Sequence, residues 1–437
     1  QNEQLPLSWA QERLWFLNQL EGSSATYNSS IGFRITGNLN INALQKALSE
    51  IFCRHEVLHT SFQTVNGRPI QVINPEAKIN INLVDLQQLP STSRENVLNQ
   101  QIQQEATTPF NLEIAPLMRC NLYQLQNEEH VFLLTMHHIV SDAWSMGVLI
   151  RELSSLYKAF TRREPSPLAK LPIQYADFAV WQRKWLSREV LQNKLNYWLA
   201  QLHGAPELLQ LPIDRPRPTV QTYQGSTQNF TLNADLTKEL RILCRDSGTT
   251  VFMTLYAAFA TLLYSYSGQS DILIGSPIAN RNYSEIETLI GFFINTLVLR
   301  TNVEDNLSFE KLLSQVRETT LKAYEHQDVP FEKVVEALQP KRSLSYSPLF
   351  QVMFVLQNAP LGKLELPGTK WSNLYKDSVI AKFDLTVSIT EGERELVCKW
   401  KYNNDLFDGS TIERMANHFQ NLLCMIVENP QQSVGEL

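Results

Sequence analysis

No run of lysine or arginine appears anywhere in this 437-residue sequence, and its formal net charge is -6. A nucleic-acid partner therefore has no electrostatic footprint to meet. No apolar stretch approaches the ~20 residues that a helix needs to span a bilayer, so no membrane span is expected. The five cysteines, Cys53, Cys120, Cys244, Cys398 and Cys424, are odd in number and show no zinc-type or CxxC spacing. Reduced thiols are expected. The opening QNEQLPLSWAQ lacks the basic and apolar regions of a secretory signal. Both points lead to a cytoplasmic expectation. Several enzyme signatures are also missing: the GxSxG elbow, the GxxxxGK phosphate loop, GxGxxG opening a helix, and HExxH. No metal site is expected.

The composition that remains is globular rather than disordered, with 43% hydrophobic and 19% charged residues. The length exceeds one ordinary core and points to two or three domains or lobes. The sequence begins without Met and stops at QQSVGEL. It reads as an excised piece of something longer.

Hydrophobic spacing organises the first half. SWAQERLWFLNQL (8–20) reads as a helix capped by Ser8, and INALQKALSEIFCRH (41–55) as a second through Leu44, Leu48 and Ile51. HTSFQTVNGRPIQVI (59–73) reads as a hairpin turning at Asn66-Gly67. HVFLLTM (130–136) has the unbroken apolar character of a buried central strand. Beyond it, Met146, Leu149, Ile150, Leu153, Leu156, Tyr157 and Phe160 share one helical face. LPIDRPRPTVQTYQGS (211–226), with three prolines, predicts an extended crossover. A second mixed pattern follows: a buried helix over 250–268 ended by Gly268, strands at 271–278, LFQVMFVLQ and FDLTVSIT, and a closing helix over 410–427. The expected class is α/β, of the α+β type, in two halves. HQDVPFE (326–332) reads as a turn because of Pro330, and RHE (54–56) as a helix end with Arg54 and His55 at its negative pole.

The stretch TMHHIVSDAWSMG (135–147) carries the candidate chemistry. His137 and His138 point to opposite sides of an extended chain, so one faces a cleft and the other is structural. Asp142 stands at the N-cap of the following helix, whose free N–H groups carry partial positive charge. A base facing such donors suits acyl transfer. A hydrogen-bonded histidine pair with a capping aspartate is the alternative, and residue types alone leave both open.

At this point the sequence resembles a family. SWAQERLWFL (8–17), RHEVLHTSF (54–62), MHHIVSDAWS (136–145), YADFAVW (175–181), IGFFINTLVLR (290–300), HQDVPFE (326–332) and RSLSYSPLFQVMF (342–354) resemble, in order, the condensation domains of nonribosomal peptide synthetases, whose signature is HHxxxDG. The DFGWG signature of plant-type HxxxD acyltransferases is absent. The resemblance implies two chloramphenicol-acetyltransferase-like lobes in a V with a central tunnel. The N-terminal lobe, 1–180, would carry the motif. The C-terminal lobe, 181–437, would include the crossover near 211–226 and a floor segment near 286–300, with part of 355–380 latching across.

The resemblance also implies a reaction. A donor carrier protein presents an acyl or peptidyl thioester on 4'-phosphopantetheine and an acceptor carrier presents an aminoacyl thioester, from opposite mouths of the tunnel. The acceptor α-amine attacks the donor carbonyl and a peptide bond forms. No cofactor is attached to the domain itself. The expected partners are the two carriers and an adenylation domain of the same parent chain, and the excised domain is expected to be monomeric. His138 matches the catalytic histidine of the motif. It would either position the neutral amine or accept its proton, the amine having a pKa of about 8 and histidine about 6.5. His137 and Asp142 would be structural, Asp142 pairing with Arg281. Ala143 would offer a backbone oxyanion donor, and Ser141, Trp144 and Asn295 would line the tunnel.

Two residues depart from the family pattern. Ala143 replaces the glycine of HHxxxDG, which keeps the N–H, adds a methyl group and disfavours positive φ. His59 replaces the second arginine of RHExLR, which puts a neutral or switchable group in place of a fixed cation. The wording of the motifs is most like the L-donor subtype. A subtype that also dehydrates a serine- or threonine-derived residue, and a non-catalytic module that recruits carriers or partner enzymes, are the alternatives.

Overall fold

The computed structural model describes residues 4–22, 24–341, 343–357, 364–374 and 380–437. Two compact units emerge, the first from residues 1–187, 279–294 and 359–376, the second from 188–278, 295–358 and 377–437. Each has its own sheet.

In the first unit the strand Glu129–His137 lies at the centre of a five-stranded sheet, in the order 369–373, 28–37, 129–137, 118–126, 81–85. All pairings are antiparallel except that of Ile81–Asp85 with Met118–Gln126. The apolar run of the central strand is unbroken because both faces are covered. Phe132, Leu134 and Met136 join the main core with the helices Ile41–Arg54 and Ala143–Thr161. Val131 and Leu133 pack on the other side with Leu98 and Ile102 of the helix Ser91–Thr107. A separate hairpin joins Thr60–Val65 to Arg68–Ile73. Its turn residues Asn66 (φ 51°) and Gly67 (φ 75°) have the positive φ that the tight turn requires.

The second unit holds a six-stranded sheet in the order 295–302, 271–278, 352–357, 385–391, 396–403, 225–232. Against it lies the helix Val251–Ser267, buried along Met253–Leu263 and ended by Gly268 in the left-handed conformation, φ 67°. Phe259 of this helix meets Phe354, Trp400 and Phe419, the last from the closing helix Gly409–Glu428. Residues 211–223 contain neither helix nor strand. This crossover is pinned by Arg217, whose guanidinium donates to both oxygens of Asp384, at 2.9 and 2.5 Å. Burial raises the Asp384 pKa, and the Arg217 charge opposes that rise.

Two expected boundaries differ from the structure. The 1–180 and 181–437 division becomes 187/188, and residues 279–294 and 359–376 return to the first unit. The floor segment near 286–300 is therefore divided, its first part held by polar side chains of the first unit and its remainder forming the strand Asn295–Asn302 of the second. Of the 355–380 latch, residues 358–363 and 375–379 lie outside the described residues. Within its described residues, 355–357 end the strand Val352–Gln357 of the second unit and Thr369–Asn373 is an edge strand antiparallel to Asn28–Gly37. The five cysteines are free, with Cys53 and Cys424 exposed. Among the described residues no single helix is long and apolar enough to cross a membrane.

Candidate active site

The adjacent histidines separate as the central strand ends. His137 is 1% exposed, accepts the Ile139 N–H at Nδ1 (3.1 Å), and contacts the rings of Tyr27 and Phe110. His138 opens the short turn His138–Val140 and is only half-buried. Its N–H donates to the Tyr27 carbonyl at 2.8 Å, and its Nδ1 lies 3.2 Å from the Ser141 carbonyl oxygen. A carbonyl oxygen only accepts, so this contact assigns the proton to Nδ1 and the lone pair of the neutral ring to Nε2. The acceptor contact at His137 assigns the opposite tautomer there.

Asp142 caps the helix Ala143–Thr161 by accepting the Ser145 N–H at 2.9 Å. The same carboxylate accepts from Ser145 Oγ (2.7 Å), from Arg281 Nη2 (3.1 Å) and, at Oδ2, from the Phe293 N–H (3.0 Å). Arg281 in turn donates to Ser145 Oγ and to the carbonyls of Ile286 and Leu289. Its guanidinium carbon lies 4.0 Å above the Phe293 ring. Burial lowers the Arg281 pKa and Asp142 opposes that effect, while the guanidinium remains charged. This is a buried ion pair with nearly every polar atom satisfied, the condition under which such a pair is tolerated.

Other quoted motifs supply the surrounding scaffold. Ser8 and Gln11 form a capping box on the helix Trp9–Glu21, and Gln11 Nε2 donates to the Ile139 carbonyl at 3.2 Å, inside the motif turn. Ser8 Oγ is 2.8 Å from the Tyr175 hydroxyl, which also donates to the Phe292 carbonyl. Glu152 accepts from Arg54 Nε (2.9 Å) and lies 2.8 Å from His55 Nε2, while His55 Nδ1 accepts the Ile290 N–H. Arg54 does end its helix, but its head group turns to Glu152.

Among the expected site residues, His137, His138, Ser141, Asp142, Ala143, Trp144 and Arg281 all belong to the first unit. Ser141 is buried with its hydroxyl 3.7 Å from the Met146 sulfur, and the Trp144 Nε1–H donates to the Glu287 carbonyl at 2.9 Å. Ala143 is exposed, is the first residue of its helix, and is not among the residues with positive φ. Its N–H lies in the first helical turn, where no intrahelical acceptor exists. Asn295 stands in the second unit. Its amide donates to the Gln327 and Val329 carbonyls (2.8 Å each) and accepts the Phe331 N–H at 3.0 Å, thereby tying down the HQDVPFE turn. His59 is 7% exposed and burial pushes its pKa down, so it stands as a neutral ring.

Ser145, Tyr175, Gln11 and Glu152 escaped the sequence reading. Two of them left a signal, Gln11 in the S-x-x-Q spacing of a capping box and Glu152 as a carboxylate beside Leu149 and Leu153 on an otherwise apolar face.

The sequence profile of the Condensation domain family matches residues 1–437. One protein of the linear gramicidin synthase of Brevibacillus parabrevis is 51% identical over 437 residues, which is 99% of this chain and 8% of that protein. Two further proteins of the same synthase are each 48% identical, and the matches span 6% and 8% of their lengths. This chain therefore corresponds to a small part of each. Among solved structures, the X-domain of teicoplanin biosynthesis in complex with OxyB is similar with a TM-score of 0.89 at 27% identity, covering 100% of this chain and 96% of that one. The four-domain nonribosomal peptide synthetase AB3403, solved in its holo form with AMP and glycine, has a TM-score of 0.89 at 25% identity, over 100% of this chain and 34% of that one.

Proposed function

This chain belongs to the condensation-domain family, the peptide-bond-forming enzymes of nonribosomal peptide synthetases, and we propose that His138 is the group that handles the attacking amine. The observation that carries this reading is the Nδ1 contact with the Ser141 carbonyl oxygen, which puts the ring's lone pair at Nε2, on a half-buried side chain beside the start of a helix. The substrates are a donor acyl or peptidyl thioester and an acceptor aminoacyl thioester, each delivered on the 4'-phosphopantetheine arm of a carrier protein. The acceptor nitrogen adds to the donor carbonyl carbon, the amine gives up a proton, the C–S bond breaks, and the donor thiolate leaves and is protonated. His138 Nε2 either holds the amine in its neutral form or takes that proton as the C–N bond forms. Charge developing on the carbonyl oxygen suits the Ala143 N–H at the helix N-terminus. Asp142 and Arg281 keep that N-terminus in register and touch no reacting atom.

The preferred subtype takes an L-configured donor residue, and the partners are the two carriers and an adenylation domain of the same parent chain. A second reading is favoured by the likeness to the teicoplanin X-domain, which was solved bound to OxyB: a module that recruits a partner enzyme. The HHxxxD set of His137, His138 and Asp142, intact apart from the following glycine, argues for catalysis over recruitment. With both carriers loaded and product followed by mass spectrometry, His138→Ala should lose about 10²–10⁴ in rate. A His138→Ala protein as active as wild type would sink the assignment.

A further inference from the structure

Residues 289–294 lie in neither helix nor strand, so their backbone groups have no ladder or helical partner. Buried side chains take that place one residue at a time. The Ile290 N–H donates to His55 Nδ1 at 3.3 Å. The Gly291 N–H donates to Ser145 Oγ at 3.0 Å. The single proton of that hydroxyl lies between Asp142 Oδ1 (2.7 Å) and the Gly291 carbonyl (2.8 Å). The Phe292 carbonyl accepts from the Tyr175 hydroxyl at 2.6 Å, and the Phe293 N–H donates to Asp142 at 3.0 Å. Gly291 also sits against the Tyr175 ring so closely that a Cβ would come within 2.1 Å of it. Four successive residues are thus fixed by His55, Ser145, Tyr175 and Asp142, all of them buried.

Sealing an apolar core does not require this arrangement, since Ile290 and Phe293 are buried by their own side chains. Phe292 is the one residue of the four that is not buried, and its ring centroid lies 6.1 Å from that of His138 at an interplanar angle of 49°. That separation is within the attractive range for aromatic pairs. The Ser141 contact, at 3.2 Å, locates one edge of the His138 ring. A flat, rigid neighbour acts on something different, the tilt of the imidazole plane.

We propose that Phe292 is a positioning residue for His138, and that the fixed 290–293 backbone is what makes it rigid enough to serve. The inference rests on the reading of His138 as the amine-handling group. Phe292 acts through the ring it abuts: it keeps Nε2 aimed at the reacting nitrogen, where a displacement of about 1 Å costs up to ~100-fold in rate.

The test is a double-mutant cycle on the full domain with both carriers loaded, read as kcat and as KM for each carrier. Phe292→Leu should lower kcat by roughly tenfold, with each KM within about twofold of wild type and an unchanged melting midpoint. Phe292→Tyr should restore most of the rate, because the ring is retained. On a His138→Ala background Phe292→Leu should cost nothing further, because the group it positions is gone. Wild-type kcat in Phe292→Leu, or a loss that persists in full without His138, overturns the proposal; the second result would mean that Phe292 meets the substrate directly. If His138→Ala itself matches wild type, the histidine assignment fails first, and the two failures are told apart. Should Phe292→Leu melt below wild type, the same cycle with Phe292→Met decides the matter.

Discussion

The 290–293 stretch of the first unit and the Val251–Ser267 helix of the second are both inside the protein, and their backbones are satisfied by opposite means. The helix satisfies its own backbone and is retained mainly by apolar contact, through Leu255, Phe259 and Leu263 at 1% exposure or less, to which the Tyr256 hydroxyl adds a hydrogen bond to the Leu299 carbonyl. The 290–293 stretch satisfies almost nothing by itself and depends on one hydroxyl, one phenol, one carboxylate, one imidazole and one carboxamide, that of Asn280. Apolar packing degrades gradually, because each lost methylene removes a share of many weak contacts. A polar network fails in steps, because removing one member strands the partners it satisfied.

The largest consequence is expected at Arg281. Arg281→Ala leaves Asp142 buried with one charged partner fewer and takes a donor from the Leu289 carbonyl and from the Ile286 carbonyl, the latter keeping the Leu289 N–H. A loss of about 3–5 kcal/mol is expected in urea unfolding. The double variant Arg281→Ala with Asp142→Ala should lose clearly less than the sum of the two single losses, since the members act as a unit. Full additivity would break the distinction drawn above.

Leu255→Ala probes the other side of the comparison. It removes buried methylenes without orphaning a polar atom, so about 2–5 kcal/mol should be lost, according to how far the cavity collapses. Leu255→Val should recover much of it. Arg281→Lys should recover little, because an ammonium cannot match the planar spread of donors to Asp142, Ser145 and two carbonyls. If the lysine variant regains most of the loss, the network is as forgiving as the core.

Acid adds a smaller effect, which in the first unit falls on two buried histidines. His130, at 3% exposure, and His59 are both held below the ordinary histidine pKa of 6.5 by burial. The unfolded chain therefore binds more protons than the folded one below that pH. The stability from keeping these rings neutral is complete above about pH 6.5 and is lost as pH falls toward the folded values, by up to ~1.4 kcal/mol per pH unit for each group. His130→Leu should flatten the slope of unfolding free energy between pH 6.5 and 5. An unaltered slope would assign the acid sensitivity elsewhere.

The same contrast governs what the sequence made legible. The central strand, the buried helix with its glycine stop, the Asn66-Gly67 hairpin and the proline-rich crossover follow from local spacing and turn chemistry, and the structure has them where expected. The pairing of Asp142 with Arg281 was reachable only through family resemblance, since 139 residues separate the two. Ser145 and Tyr175 were not reachable from periodicity at all. A serine in a first helical turn and a tyrosine at a helix start look ordinary until the backbone they satisfy, 290–293, is brought beside them. The return of 279–294 to the first unit has a related cause: partners distant in sequence, the polar groups above and the apolar core that Ile286, Leu289, Ile290 and Phe293 join, which leave no local signal.

Ala143 gives the smallest expected effect and the sharpest use of the comparison, since it adjoins the network without belonging to it. Its side chain is exposed and its φ is not positive, so alanine is accommodated without strain and glycine is not required by the backbone. Ala143→Gly keeps the N–H at the helix start and should cost no more than about 1 kcal/mol in stability, the usual penalty of glycine in a helix. With a small donor thioester, kcat should stay within a few-fold of wild type, because neither His138 nor the Asp142–Arg281 pair is touched. With donors of increasing bulk beside the thioester, the glycine variant should gain on wild type in kcat/KM, because the methyl group narrows the approach to the helix N-terminus. Rates that fall equally for small and bulky donors would show that the methyl group is itself part of the binding surface. Abolished activity in a correctly folded Ala143→Gly protein would contradict its reading as a mere narrowing.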